Sequence, residues 1–195
     1  RARDSLRQEE RRLEAIAGNR GGGDAFALMR AMRETMSSKV GILRDGEPLE
    51  QAVETLQDLL LRSRRVTLRH QARGANPELA AAYRVQKMLK LALCVAHGAQ
   101  QRTESRGAHF RADYPQRDDD RWLCRTLAAW PEPDTTLPEL EYEPLDVMRM
   151  ELPPGWRGYG ARDHIDHPDT SRRREQVAAA CEPAAAARGR RPPAR

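Results

Sequence analysis

The residues best suited to chemistry lie between Arg102 and Asp120, where arginine, histidine and acidic residues alternate over a short stretch. A solvated loop of mixed charge is the simpler interpretation. However, Gly107 and Pro115 restrict the backbone on either side of two aromatic residues, as an ordered, packed turn requires. We therefore predict an interdomain network of paired charges. Its predicted members are Arg102, Glu104, Arg106, His109, Arg111 and Asp113.

Two other groups of residues have side chains that could bind a metal. The aspartates at 118–120 lack the spaced pattern of a calcium loop, so capping of a helix N-terminus is favoured. His164 and His167 are three residues apart and would share a helix face, but Pro168 indicates coil there. We predict no metal site.

No catalytic or cofactor motif is recognisable. The sequence contains no nucleophile elbow, Walker loop or dinucleotide fingerprint, and no strand is predicted before the glycine run at 21–23. The three cysteines are far apart, which indicates a reducing cytosol rather than a disulfide or zinc site. We predict no catalytic residue and no cofactor-binding residue in the chain.

Helices must position the predicted network. After a charged helical lead-in, Asp24 is expected to cap a helix with a methionine stripe, and a second helix is expected from about Pro48 to Ser63. A third begins with Asn76 and Pro77, with Gly107 as a left-handed cap beyond its end. It is expected to reach Ser105, and a fourth to run from 118 to 130.

The predicted fold is mainly α: a helical bundle followed by an irregular extension with short strands and a disordered tail. The predicted boundaries are 1–23 for the lead-in, which is expected to be truncated, 24–130 for the bundle, 131–170 for the extension and 171–195 for the tail. Strand-like alternation in the extension involves Leu140, Tyr142, Met148, Met150 and Leu152.

Charge is uneven along the chain. Of 34 basic and 29 acidic residues, the tail holds seven arginines and two glutamates, which leaves 27 of each sign on the rest. A nucleic-acid groove is therefore not expected on the body of the protein, because such binding needs clustered positive charge. No apolar run approaches the ~20 residues of a membrane-spanning helix.

Seven stretches carry a resemblance to a known family. They are Gly-Ala-Asn-Pro-Glu-Leu at 74–79, Arg-Thr-Glu-Ser-Arg-Gly-Ala-His-Phe-Arg at 102–111, Asp-Tyr-Pro at 113–115, Arg-Asp-Asp at 117–119, Trp-Leu at 122–123, Glu-Tyr-Glu-Pro-Leu-Asp at 141–146 and Pro-Pro-Gly-Trp-Arg-Gly-Tyr-Gly at 153–160. Together they resemble the C-terminal part of the flavoprotein subunit of fumarate reductase and succinate dehydrogenase, and the last two resemble its quinol:fumarate reductase branch. The resemblance covers roughly 24–168.

The resemblance implies a helical scaffold within a larger enzyme. That parent would interconvert fumarate and succinate with FAD held by an upstream domain. It would exchange electrons with quinone through an iron–sulfur subunit and be held peripherally at the inner membrane, on its cytoplasmic side, by a membrane anchor. The present chain alone is expected to bind no cofactor and to be inactive. L-aspartate oxidase, which shares Glu-Ser-Arg-Gly, and a stand-alone helical module with a basic tail remain alternatives.

Overall fold

The computed structural model describes residues 2–70, 75–132 and 134–145. Four long helices dominate this part of the chain, as predicted: α1 (Ala2–Gly18), α2 (Ala25–Lys39), α3 (Gly46–Ser63) and α4 (Pro77–Gln101). None of these helices combines enough length and apolarity to span a bilayer. The predictions for the strand at 148–152, the histidines at 164 and 167 and the tail all lie outside the described residues.

Local capping determines where two of the helices begin. The Asp24 carboxylate accepts the N–H of Phe26 at 2.9 Å, at the start of α2. Asn76 accepts the N–H groups of Glu78 and Leu79 at 3.0 and 3.2 Å, with a proline in the first turn of α4. Both predicted caps are confirmed, and each satisfies backbone donors that the first helical turn leaves without partners.

The core lies where α2, α3 and α4 meet. Four leucines from α3 and α4 are fully buried there: Leu49, Leu56, Leu89 and Leu93. Each such side chain contributes about 1.5–3 kcal/mol by leaving water. Helix α1 packs against α4 through buried Ile16 and a hydrogen bond of 2.8 Å from Arg12 to Gln86.

The predictions for the chain after α4 need two corrections. Helix α4 ends at Gln101, not Ser105, because Arg102 adopts an extended conformation. The helix predicted for 118–130 is wrong beyond its first turn. A short α5 (Asp119–Trp122) is followed by strand β3 (Cys124–Ala129), which pairs antiparallel with β4 (Glu139–Pro144). Two shorter strands, β1 (Leu43–Arg44) and β2 (Phe110–Arg111), precede them in the chain.

The backbone of the predicted fourth helix is used in tertiary hydrogen bonds instead. The Arg102 guanidinium binds the carbonyl oxygens of Trp122 and Cys124 at 3.0 and 2.7 Å. The Leu123 carbonyl accepts the N–H of Leu145. Since an α-helix would need these carbonyls for its own bonds, the chain extends here and forms a hairpin. The strand predicted around Leu140 and Tyr142 is confirmed as β4.

A two-residue parallel ladder connects the helices to the predicted polar network. Strand β1 (Leu43–Arg44), between α2 and α3, pairs with β2 (Phe110–Arg111). Leu43 lies opposite Phe110, and Arg44 lies opposite Arg111. The ladder therefore places the α2–α3 connection directly beside the stretch from 102 to 120.

Candidate functional site

Glu104 is the centre of what we call the polar cluster, which comprises the six predicted residues together with Arg44, Arg117 and Asp119. Its side chain is fully buried. One carboxylate oxygen accepts from Arg102 Nη1 at 2.6 Å and from Arg106 Nε at 2.8 Å. The other accepts from Arg106 Nη2 at 2.9 Å and from the Asp118 N–H at 3.0 Å. These four bonds compensate the cost of burying the carboxylate.

Arg106 connects Glu104 to a second acid. In addition to its two hydrogen bonds to Glu104, Arg106 binds Asp119 Oδ1 through Nη2 at 2.6 Å. Arg117 binds the other carboxylate oxygen of Asp119 at 2.8 Å. Burial lowers the pKa of Arg106, but hydrogen bonds to Glu104 and Asp119 outweigh it and raise that pKa above its usual value. Arg106 therefore stays charged and geometrically fixed.

Arg111 lies almost entirely inside the protein, with 3% of its side chain exposed. Its Nε and Nη2 bind the two carboxylate oxygens of Asp113 at 2.7 and 2.6 Å. Its Nη1 binds the carbonyl oxygens of Ala99 and Gln100 at 3.1 and 2.9 Å. The hydrogen bond from Arg111 is the main cause that lowers the pKa of Asp113.

His109 is held in one tautomer by its two neighbours. Its Nδ1 lies 2.6 Å from Arg44 Nη1, and its Nε2 lies 3.1 Å from the carbonyl oxygen of Arg102. Because a guanidinium only donates and a carbonyl only accepts, the neutral ring must carry its proton on Nε2. Burial is the main cause that lowers the pKa of His109, and the nearby arginines act in the same direction.

The backbone around His109 is equally fixed. Gly107 has φ +59°, which allows Arg106 and His109 to pair through backbone bonds of 2.7 and 3.0 Å. Buried Ser105 accepts the N–H of Arg111 at 2.8 Å and donates to the carbonyl of Tyr114 at 2.8 Å. Gly107 therefore acts within this turn rather than as the helix cap that the sequence suggested.

The structure brings all six predicted residues into one connected set, and their interdomain role stays a prediction. Sequence reasoning missed Arg44. It placed Arg117 and the aspartates at 118–120 in the polar stretch without naming them as members of the network, and it favoured capping for the aspartates. Asp118 does cap α5, through the N–H of Arg121, whereas Asp119 forms ion pairs. The acids at 118–120 offered a signal for such pairing, but nothing near Arg44 in the sequence pointed to His109.

Arginines hold all three carboxylates of the polar cluster. Glu104, Asp113 and Asp119 each lie within 2.8 Å of an arginine nitrogen. Among the described residues, no group of three histidine, cysteine or acidic side chains could hold a metal ion.

The glycine run at 21–23 does not fit the phosphates of a dinucleotide such as FAD. A Cβ on Gly22 would lie 1.3 Å from the Arg65 carbonyl oxygen, so the loop packs directly on the backbone after α3. The Gly22 N–H donates to Thr67 Oγ1 at 2.6 Å, where a phosphate cradle would offer that N–H to its ligand. Of the three glycines, Gly22 is the one that close packing requires.

Known proteins share both the sequence and the fold of this chain. Residues 29–159 match the family described as "Fumarate reductase flavoprotein C-term". The chain is 45% identical over 173 residues to the fumarate reductase flavoprotein subunit of Helicobacter pylori, which covers 88% of this chain and 24% of that protein. It is 32% identical over 142 residues to the succinate dehydrogenase flavoprotein subunit of Bacillus subtilis, with 73% and 24% covered.

A solved structure of Escherichia coli quinol fumarate reductase is similar to this chain in three dimensions. The superposition has a TM-score of 0.72 and 30% sequence identity, and it covers 82% of this chain and 27% of that one. The chain therefore spans about a quarter of the length of the relatives it matches.

Proposed function

Because the chain belongs to the fumarate reductase flavoprotein C-terminal family, we propose that it is the helical scaffold of an FAD-dependent flavoprotein subunit. The whole subunit interconverts fumarate and succinate and exchanges electrons with quinone through an iron–sulfur subunit. A membrane anchor holds the complex at the cytoplasmic face of the inner membrane. The family match, which includes the polar cluster, supports this assignment.

The scaffold role follows from how the polar cluster uses its charges. Glu104 and the arginines around it fix the chain from the end of α4 to the start of β3. The cluster also fixes the turn before β2, and β2 in turn holds β1. A surface built in this way is rigid before any partner arrives, which reduces the entropy lost on association. In this proposal the upstream FAD-binding domain of the same subunit packs against it.

The flavin belongs to the upstream domain in this proposal. When bound there, FAD supplies hydride transfer to fumarate or from succinate. The present chain contributes no group to that step. Its residues keep the polar cluster paired and fixed, and so maintain the face against which the cofactor domain rests.

The test compares the full-length subunit, purified within its complex, with the segment 1–195 expressed alone. We expect the complex to show flavin absorbance and to reduce fumarate or oxidise succinate, and the segment alone to be colourless and inactive. L-aspartate is offered as a third substrate, because its rapid oxidation in place of succinate would assign the chain to L-aspartate oxidase. A yellow segment that turns over dicarboxylates would refute the scaffold role.

A further inference from the structure

Arg44 differs from the other four arginines of the polar cluster in having no acidic partner. Each of the others lies within 2.8 Å of a carboxylate oxygen. Arg44 Nε donates to the carbonyl oxygens of Val40 and Gly41 at 3.3 and 2.9 Å, and Nη1 donates to His109. In the described part of the chain, no carboxylate contacts Arg44.

The surroundings of Arg44 make this lack of an acid costly. The side chain is partly buried, and burial together with the positive charge of Arg111 lowers the pKa of Arg44. The carbonyls at the end of α2 compensate only part of one charge. A charge removed from water without an ionic partner is unfavourable, and an incoming carboxylate would offset that cost.

His109 leaves one side of the Arg44 guanidinium available. Its Nδ1 accepts a hydrogen bond from Arg44 Nη1 at 2.6 Å, and the carbonyls of Val40 and Gly41, just after α2, accept from Arg44 Nε. No hydrogen bond involves Nη2 within the described residues. A carboxylate can therefore approach Nη2, with the ring of His109 keeping the guanidinium plane in place.

Two exposed apolar residues directly precede this cation in the chain. Ile42 and Leu43 are 79% and 77% exposed, and Leu43 faces Phe110 across the β1–β2 ladder. An arginine with unused donors next to exposed aliphatic side chains is typical of the centre of a protein interface, where neighbouring apolar contacts exclude water from the charged pair.

We propose that Arg44 anchors this chain to the upstream part of the same flavoprotein subunit by binding an aspartate or glutamate side chain of that part. Ile42 and Leu43 supply apolar contacts to the same partner, and His109 is a positioning residue that acts through Arg44. The inference rests on the proposed function, because that function supplies the upstream partner.

The experiment places an amine at position 44 of the full-length subunit within its complex. Arg44→Lys is treated with a water-soluble carbodiimide, which joins a lysine amine to a carboxylate only when the two are in contact. The linked peptides are then identified by mass spectrometry. We expect the amine introduced at position 44 to be joined to one aspartate or glutamate upstream of the present chain. Arg62→Lys is the matched control. Arg62 lies 3.2 Å from Asp58, so the amine introduced at position 62 should be joined to Asp58.

The outcomes separate the two proposals. If the 62–58 link forms while the amine at position 44 stays unlinked, or is joined within the present chain or to another subunit, the Arg44 inference is refuted. The proposed function is judged separately, by whether the wild-type complex contains flavin and reduces fumarate.

For the positioning role, adding His109→Leu to the Arg44→Lys variant should lower the yield of the link from position 44 at least about threefold. His109→Gln in the same background should restore that yield, because glutamine offers the same acceptor and donor.

Discussion

Arg111 and Asp113 form a two-pronged ion pair that connects two helix ends of opposite polarity. Arg111 donates to the carbonyls of Ala99 and Gln100 at the C-terminal end of α4. The Asp113 carboxylate lies at the N-terminal end of α3, where the backbone of Gly46 adds to the effect of Arg111 in lowering its pKa. A Cβ on Gly46 would lie 2.9 Å from Asp113, which reflects how closely the carboxylate approaches. Each charge therefore lies at the helix end whose partial charge it complements.

Asp113→Asn should destabilise the start of α3. Asp45 makes no side-chain cap hydrogen bond to this helix, and Asp113 adds a carboxylate close to its first residue, Gly46. Its loss also leaves buried Arg111 without a charged partner, and we expect a cost of about 1.5–3 kcal/mol. Hydrogen exchange of the first-turn amides of α3 in the full-length subunit measures this.

The control for this variant is Asp58→Asn. Asp58 pairs with Arg62 one helical turn away, and both side chains are 61% exposed. A solvated pair of this kind contributes about 0.5 kcal/mol or less. If both variants change the hydrogen exchange of the first-turn amides of α3 by the same amount, Asp113 does not stabilise the start of this helix more than a surface ion pair does.

Arg106→Ala should destabilise the protein without selectively removing turnover. The substitution leaves buried Glu104 with fewer donors and Asp119 with one arginine fewer. Breaking such a pair costs about 3–5 kcal/mol. The thermal midpoint and the turnover per bound flavin, both measured on the full-length complex, test this.

Arg125→Ala is the control, because Arg125 is 63% exposed and pairs with Glu143 at the surface. A stable but inactive Arg106→Ala complex would mean that Arg106 has a catalytic role.

Much of the helical framework could be predicted because its signals are local. Asp24 and Asn76 cap helices through atoms two or three residues away. Gly107 and Pro115 likewise indicated a fixed turn within the polar stretch. Strand β3 was predicted as helix because its partner β4 lies across a connection of several residues, and the Arg102 bonds that extend the chain come from another element.

Arg44 shows the same limitation within the cluster itself. It lies 65 residues from His109 in the sequence, and only the β1–β2 ladder brings the two together. Local periodicity carries no information about such a pairing. The sequence could therefore predict the residues that neutralise one another, but not the arginine that they leave without an acid.

The stability of the cluster should fall as pH drops below about 6.5. The unfolded chain protonates His109 near that value, whereas burial and the nearby arginines lower its pKa in the folded protein. At pH values between the folded and the unfolded pKa of His109, the unfolded state therefore binds more protons than the folded state. The free energy of unfolding then falls as the pH decreases. Protonation also places an N–H on Nδ1, against Arg44.

His109→Gln should flatten this pH dependence, since the amide keeps both hydrogen bonds without titrating here. The thermal midpoint of the full-length subunit between about pH 8 and about pH 5.5, a range that brackets the unfolded histidine pKa, measures the effect. His70→Gln is the matched control, because His70 is 80% exposed. If the wild type and His109→Gln lose the same stability on acidification, then His109 is not the responsible group.

Gly22→Ala should destabilise the loop between α1 and α2, whereas Gly23→Ala should not. A Cβ at 22 would collide with the Arg65 carbonyl at 1.3 Å, while a Cβ at 23 meets nothing within 4 Å. Moving the loop away would also break the bond from Gly22 to Thr67. We expect a cost of about 1–3 kcal/mol for Gly22→Ala, as for other overpacked sites, and about 0.5 kcal/mol or less for Gly23→Ala.

Thermal unfolding of the full-length subunit compares the two variants, with flavin content measured in parallel. Because Gly22 acts by packing and not by binding phosphate, and Gly23 has open space around it, flavin per folded subunit should be the same in both variants. A Gly22→Ala subunit of normal stability that lacks flavin would instead identify the loop as part of the cofactor site.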